Sequence, residues 1–182
     1  MCYLIRVRAR LIPALCRLGL LHTFGKLTQM QIEHFALQFE KLSKLRDLRY
    51  SLGKPTLEVD ASQAEEKLGV SFPAQVSLFY RHLNGLHVEE PPLEILPIEQ
   101  LNFVFPNRLH FATLDGNRRL YFDTSKINAA EQWNVVAEDD YCVTLSMASF
   151  WSNKIFAWVG RRRAIWEEHS EWQEVCENER AT

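Results

Sequence analysis

SFPAQVSLFYRHLNG, residues 71–85, decides how the chain is read. An Arg, a His and an Asn fall within four positions of each other near its end. They form either a catalytic cluster or the end of a helix that carries its own start and stop signals. The spacing favours the helix. Val76, Phe79, Tyr80 and Leu83 stand at i, i+3, i+4 and i+7 and share one apolar face. Pro73 suits the first helical position, where its missing N–H costs nothing. Asn84-Gly85 offers a left-handed stop, because Gly has no Cβ to clash. Arg81 and His82 fall on the other side and read as solvated residues.

Upstream, residues 30–53 read as a helix with an apolar stripe of Ile32, Phe35, Phe39 and Leu42. Thr28 and Gln31 have capping-box spacing, and Gly53 and Pro55 mark the end. His34 lies off the stripe. A second helix is expected to start at Asp60, boxed by Gln63, with Ala61, Ala64 and Leu68 inward and Gly69 as its stop.

Downstream, a proline-rich connector holds one short extended segment, and the period then changes from helical to alternating. In RLHFATLDGNRRLYFDTS, Leu109, Phe111 and Thr113 are expected to point one way, with Leu120 and Phe122 answering on the return. Asp115-Gly116 is a hairpin dipeptide. Trp133, Val135 and Ala137 alternate in the next strand. YCVTLSMASF reads as a strand running into a helix that carries Met147, Phe150, Trp151, Ile155 and Trp158. Ser170 and Gln173 open a short acidic C-terminal helix. The class is α+β: N-terminal helices, then a mainly antiparallel sheet with flanking helices.

The 182 residues fit one domain, residues 30–182, behind a basic extension, residues 1–29. The extension holds five basic residues and no acid, and its apolar run is too short to span a bilayer. Translation is expected to start at Met30, or the extension to be a disordered tail. A mitochondrial-type presequence, a membrane-surface segment and an extra helix are the alternatives. The remaining body carries 16 basic against 23 acidic residues, about −7. That charge argues against nucleic acid, whose phosphates need a basic surface, and suits a basic protein partner. Cys2, Cys16, Cys142 and Cys176 form no C-x-x-C pair, so zinc has no support. Reduced thiols and a cytoplasmic location are expected of a chain long enough to build its own core.

No phosphate loop, dinucleotide fingerprint, nucleophile elbow or H-E-x-x-H motif is present. Neither a catalytic residue nor a cofactor is therefore expected. Asp115 and Asp123, with Tyr121 between them, would make an acid–base pair for a hydrolase if the fold brought them together. The competing reading gives one the turn and the other a strand-end cap through Asp-Thr-Ser. Cys142 and His169 have no spacing that joins them as nucleophile and base, and Cys142 reads as a small buried apolar residue. Arg161, Arg162 and Arg163 form the one basic cluster of the body.

AEEKLGVSFPAQVSLFYRHLNGL resembles the signature of the SUKH superfamily, the Smi/Knr-like domains. In that family an acidic helix ends in Leu-Gly, Pro opens the next helix and Asn-Gly closes it. Here these are Leu68-Gly69, Pro73 and Asn84-Gly85. FATLDGNRRLYFDTS is similar to the family's hairpin, whose aromatic strand ends in Asp, here Asp123. VTLSMASFW is similar to its strand-to-helix step. The likeness covers about residues 57–158. It implies an α+β fold and a non-enzymatic, protein-binding role. Many bacterial members are immunity proteins that neutralise toxins, often nucleases, and eukaryotic members act as scaffolds or adaptors. The basic extension and the helix before residue 57 depart from that pattern. With the acidic body, the implied partner is a basic toxin domain. The candidate contacts are Glu89, Glu90, Glu94, Glu138, Asp139 and Asp140.

Overall fold

Two alternating runs meet at Asp115-Gly116 and form the hairpin at the centre of the fold. The computed structural model describes residues 36–155, except positions 38, 42 and 46. The basic extension, the residues 28–35 with His34, Leu42, Trp158, Arg161–Arg163, His169 and the acidic C-terminal helix therefore lie outside the described residues. Strand β5 (Arg108–Leu114) pairs antiparallel with β6 (Arg118–Asp123). Asp115 and Gly116 take φ of 49° and 73°, the positive values that a type I′ turn requires.

The sheet extends from this hairpin in both directions. Its order is β1 (Tyr50–Leu52), β2 (Leu86–Val88), β3 (Leu93–Ile95), β5, β6, β7 (Asn134–Ala137) and β8 (Cys142–Thr144). Every neighbouring pair is antiparallel. Strand β4 (Asn102–Phe105) lies off this path and pairs β5 alone. Strand β3 meets β5 at Ala112–Leu114 and β4 meets it at Arg108–His110, so the two share one edge of β5 end to end.

Helices cover one face of the sheet. They are α1 (36–45), α2 (Glu58–Leu68), α3 (Ala74–His82) and α4 (Met147–Ser149), which runs on as a π-helical stretch, Phe150–Ile155. Aromatic rings fill the space between the layers. Phe111 stacks on Phe122 at 4.0 Å between centroids and meets Phe150 edge-on at 5.4 Å. Phe79 of α3 meets Trp151 at 5.0 Å, and Phe72 meets Trp133 at 5.9 Å. Each such ring contributes about 2–3 kcal/mol through burial, and an edge-on or offset pair adds about 1. Tyr80 is fully buried on α3, and its hydroxyl donates to the Leu96 carbonyl at 3.1 Å.

The helix expected to run to Gly53 stops earlier. Asp47 takes φ 50°, and Tyr50–Leu52 is strand β1. Helix α2 starts at Glu58, so Asp60 lies inside its first turn, where its charge favours the helix dipole, instead of capping it. Gly69 does stop α2, at φ 68°, donating its N–H to the Glu65 and Glu66 carbonyls. Pro73 flanks α3 at its N-cap. Asn84-Gly85 is not the left-handed cap of α3. The helix ends at an extended Leu83, and Asn84 instead holds the 3₁₀ turn Ile98–Gln100. Its carbonyl oxygen accepts from Ile98 N–H at 2.7 Å, and its amide donates to Glu99 at 3.1 Å. Gly85, at φ 99°, is needed because a Cβ would stand 2.9 Å from the Ile95 carbonyl. Thr113 also departs from expectation. The register slips between His110 and Ala112, so Leu109, Phe111 and Leu114 face the core while Thr113 joins His110 on the other face.

Gly53 and Gly69 give a test of close approach against turn geometry. A Cβ on Gly53 would run into the Asn84 carbonyl, whereas around Gly69 nothing lies within 4 Å. Gly69→Ala should cost about 1 kcal/mol, from its positive φ alone. Gly53→Ala should cost about 3 kcal/mol, because backbone must move. Urea denaturation of both variants measures the difference, and equal losses would contradict the packing described.

Candidate functional site

The face of the sheet turned away from the helices carries the polar chemistry, because strict cross-strand pairing lines up residues in rows. One row reads His110, Tyr121, Val136, Cys142 on β5 to β8. The next reads His87, Glu94, Thr113, Arg119 on β2, β3, β5 and β6. The first row is largely buried and the second largely exposed.

Arg108 is the hinge of this surface. It stands two residues before His110 on the same face of β5, opposite Asp123 at the end of β6. Its Nη1 donates to Asp123 Oδ1 at 2.8 Å. Its Nη2 and Nε donate to Asp140 Oδ1 at 2.6 and 3.0 Å, from the turn between β7 and β8. The Asp123 side chain is only 5% exposed, while that of Asp140 is 58% exposed. Asp123 also accepts from the Ser125 backbone N–H at 3.1 Å and the Ser125 hydroxyl at 2.6 Å. This is the strand-end cap foreseen from Asp-Thr-Ser. Arg108 itself carries no such signal in the sequence. Nothing local marks a guanidinium whose partners lie 15 and 32 positions away.

Phe105, Pro106, Arg108, Tyr121, Ala137, Glu138 and Asp140 line a cleft of about 310 Å³ above this pair. Phe105 meets Tyr121 edge-on at 6.2 Å and His110 meets it at 5.8 Å. Burial and the Glu138 carboxylate push the Tyr121 phenol up, with Arg119 opposing them. His110 Nε2 lies 3.1 Å from both the Ala112 carbonyl and the Thr113 hydroxyl. Burial lowers its pKa, the Ala112 carbonyl raises it, Arg119 lowers it and Glu94 raises it.

The six acidic candidates do not form one cluster. Glu89 and Glu90 sit in the turn between β2 and β3, where Glu89 lies 3.7 Å from Arg49. Glu94 stands in the exposed row of the sheet, beside Thr113. Glu138, Asp139 and Asp140 make the β7–β8 turn, with Asp139 accepting from Tyr141 N–H at 3.2 Å. Asp115 and Asp123 are at opposite ends of the β5–β6 hairpin, about 20 Å apart at the strand rise. The fold therefore leaves that carboxylate pair apart. Among the described residues no group of three or more His, Cys, Asp and Glu could hold a metal ion.

Cys142 is buried, as a small apolar residue would be. His169 lies outside the described residues, as do the other three cysteines. Among the described residues no helix is long and apolar enough to cross a membrane.

Two measurements check the site. Arg108→Met should cost about 2–3 kcal/mol, because Asp123 keeps a buried charge without its cation. Asp140→Asn should cost less than about 1, since that carboxylate is solvated. For His110, the folded chain favours the neutral ring, so its contribution is present above the unfolded pKa of about 6.5 and is lost as pH falls below it. Denaturant midpoints from pH 8 to 5 should fall in the parent and flatten in His110→Gln. An unchanged slope would remove His110 from that role.

Set against known proteins, the chain matches no protein-family model, and no curated protein matches it.

Proposed function

We propose that the chain is a protein-binding module of the SUKH type, acting on a basic partner without chemistry of its own. The observation that carries this reading is the arrangement of acids around Arg108. Arg108 is neutralised on both sides by Asp123 and Asp140, and Glu138 and Asp139 are exposed beyond it with no ion pair among the described residues. A partner with a basic surface meets these carboxylates at the edge, which speeds encounter and fixes orientation.

Several of the motifs behind the resemblance support this reading, and Asn84-Gly85 departs from it, since Asn84 clamps the 3₁₀ turn instead of closing α3. Leu68-Gly69 ends α2, Pro73 opens α3, the β5–β6 hairpin ends in Asp123, and β8 leads into α4 through Ser146, whose hydroxyl accepts from Ser149 N–H at 3.2 Å. Within that family the acidic body favours an immunity protein that neutralises a toxin domain, with a regulatory scaffold or adaptor as the second reading. The exposed rings of Phe103 and Phe105 fit either. A hydrolase built on Asp115 and Asp123 lacks the proximity that paired carboxylates need. Nucleic acid fits an acidic surface poorly. A cytoplasmic location goes with this reading.

The full chain, immobilised and exposed to lysate from its own cells, is expected to retain one dominant basic protein. The association rate of that protein should fall about tenfold between low and physiological salt. If its activity is toxic, the chain should suppress it at equimolar ratio. A set of housekeeping proteins, each bound through apolar contacts insensitive to salt, would replace the immunity reading with the scaffold reading.

A further inference from the structure

Among the described residues, strand β4 has one partner, β5, and one open edge. Its side chains are uncovered as well: Asn102 is exposed, Phe103 is 38% exposed and Phe105 is 49% exposed. A free strand edge bearing aromatic residues is a site where an extended peptide can add. Natural edges are usually blunted by charge or proline, and Asn-Phe-Val-Phe carries neither until Pro106. The register shift between Phe103 and Phe105 leaves Val104 without a partner on β5. Phe105 pairs with Arg108 and so points to the face away from the helices, over the cleft.

The cleft has its own unmet chemistry. Tyr121 is 1% exposed, and among the described residues its hydroxyl meets no partner at full hydrogen-bond geometry, with Arg119 the side chain that approaches it. Glu138 lines the same cleft, and its exposed carboxylate has no hydrogen bond or ion pair among the described residues. Asp123, Glu138, Asp139 and Asp140 outnumber Arg108, Arg118 and Arg119 there by one, so the local balance is negative. Phe105 supplies an aromatic face, on which a guanidinium stacks well.

We propose that an extended, basic segment of a protein partner adds to the open edge of β4 and places an arginine side chain in the cleft. The residue opposite Phe105 on the added strand faces the same side of the sheet. Its guanidinium then lies against the Phe105 ring and donates to Glu138, with the Tyr121 hydroxyl as a further acceptor. Backbone bonds to β4 supply affinity and the cleft selects the cation. This inference rests on the reading of the chain as a binder of basic proteins, and it specifies where and how the partner is held.

The test uses the full chain and two synthetic peptides, acetyl-Thr-Val-Arg-Val-Thr-amide and its citrulline counterpart, which keeps the shape and removes the charge. Amide chemical shifts on titration should move first in Asn102–Phe105 and in Glu138–Asp140. The arginine peptide should bind about tenfold more tightly than the citrulline peptide at low salt. Glu138→Gln, which alters an exposed residue and leaves the fold intact, should remove most of that difference. Val104→Pro should abolish binding of both peptides by disrupting the strand edge to which they would add. Tyr121→Phe should weaken the arginine peptide alone. Equal affinities for the two peptides, shifts confined to other strands, or no binding at millimolar concentration would each overturn the proposal. If a basic protein is captured while the peptides fail in this way, the β4 site falls and the wider binding reading stands. If the peptides bind as expected but the only protein partners are acidic, the wider reading falls.

Discussion

Strand β5 needs a partner along its whole inner edge, and no single neighbour supplies one. Strand β3 covers its second half and β4 its first half, and the chain between them leaves the sheet for a 3₁₀ turn. The join is held by Leu96, whose N–H donates to the Phe111 carbonyl at 2.8 Å, at the place where β5 bulges. The bulge lets one strand serve two surfaces. It keeps Leu109, Phe111 and Leu114 in the core and turns His110 and Thr113 outward. Without it, alternation would place Thr113 in the core and Leu114 in solvent.

The helical layer is bound to the same region. Asn84 and Gly85 link the end of α3 to the 3₁₀ turn, and Gly53 passes close enough to donate to the Gly85 carbonyl at 2.9 Å. Tyr80 reaches from α3 to the Leu96 carbonyl next to the bulge. A buried hydroxyl and a buried amide left unpaired would each cost about 1–3 kcal/mol, so these bonds specify how the layers sit as much as they stabilise them. The outer surface inherits its shape from this arrangement. Arg108 starts the bulged strand, Asp123 ends its partner, and the β7–β8 turn brings Asp140 over both. The cleft beside the β4 edge is the space left between them.

Much of the fold was legible from particular residues. The Asp115-Gly116 turn, the alternation of Leu120 and Phe122, the Gly69 stop and the aromatic helix after Ser146 are all local signals, and each appears where expected. Strands β2 and β4 were not legible, because three or four residues show no clear period. The role of Asn84 was misread, because a helix-stop dipeptide and an inter-segment clamp have the same sequence. Of the surface, the acidic turn at 138–140 was visible and its bond to Arg108 was not.

The sequence alone determined what depends on neighbours in the chain: helical stripes, turn dipeptides, the α+β class and the negative balance of the body. Only the tertiary structure decided which residues share a surface. The bulge reversed the facing of Thr113, and strand pairing separated Asp115 from Asp123 while joining Asp123 and Asp140 through Arg108. The physical reason is that register and bulges are set by burial across the whole sheet. Contacts between residues tens of positions apart follow from that register and leave no periodic trace in the chain.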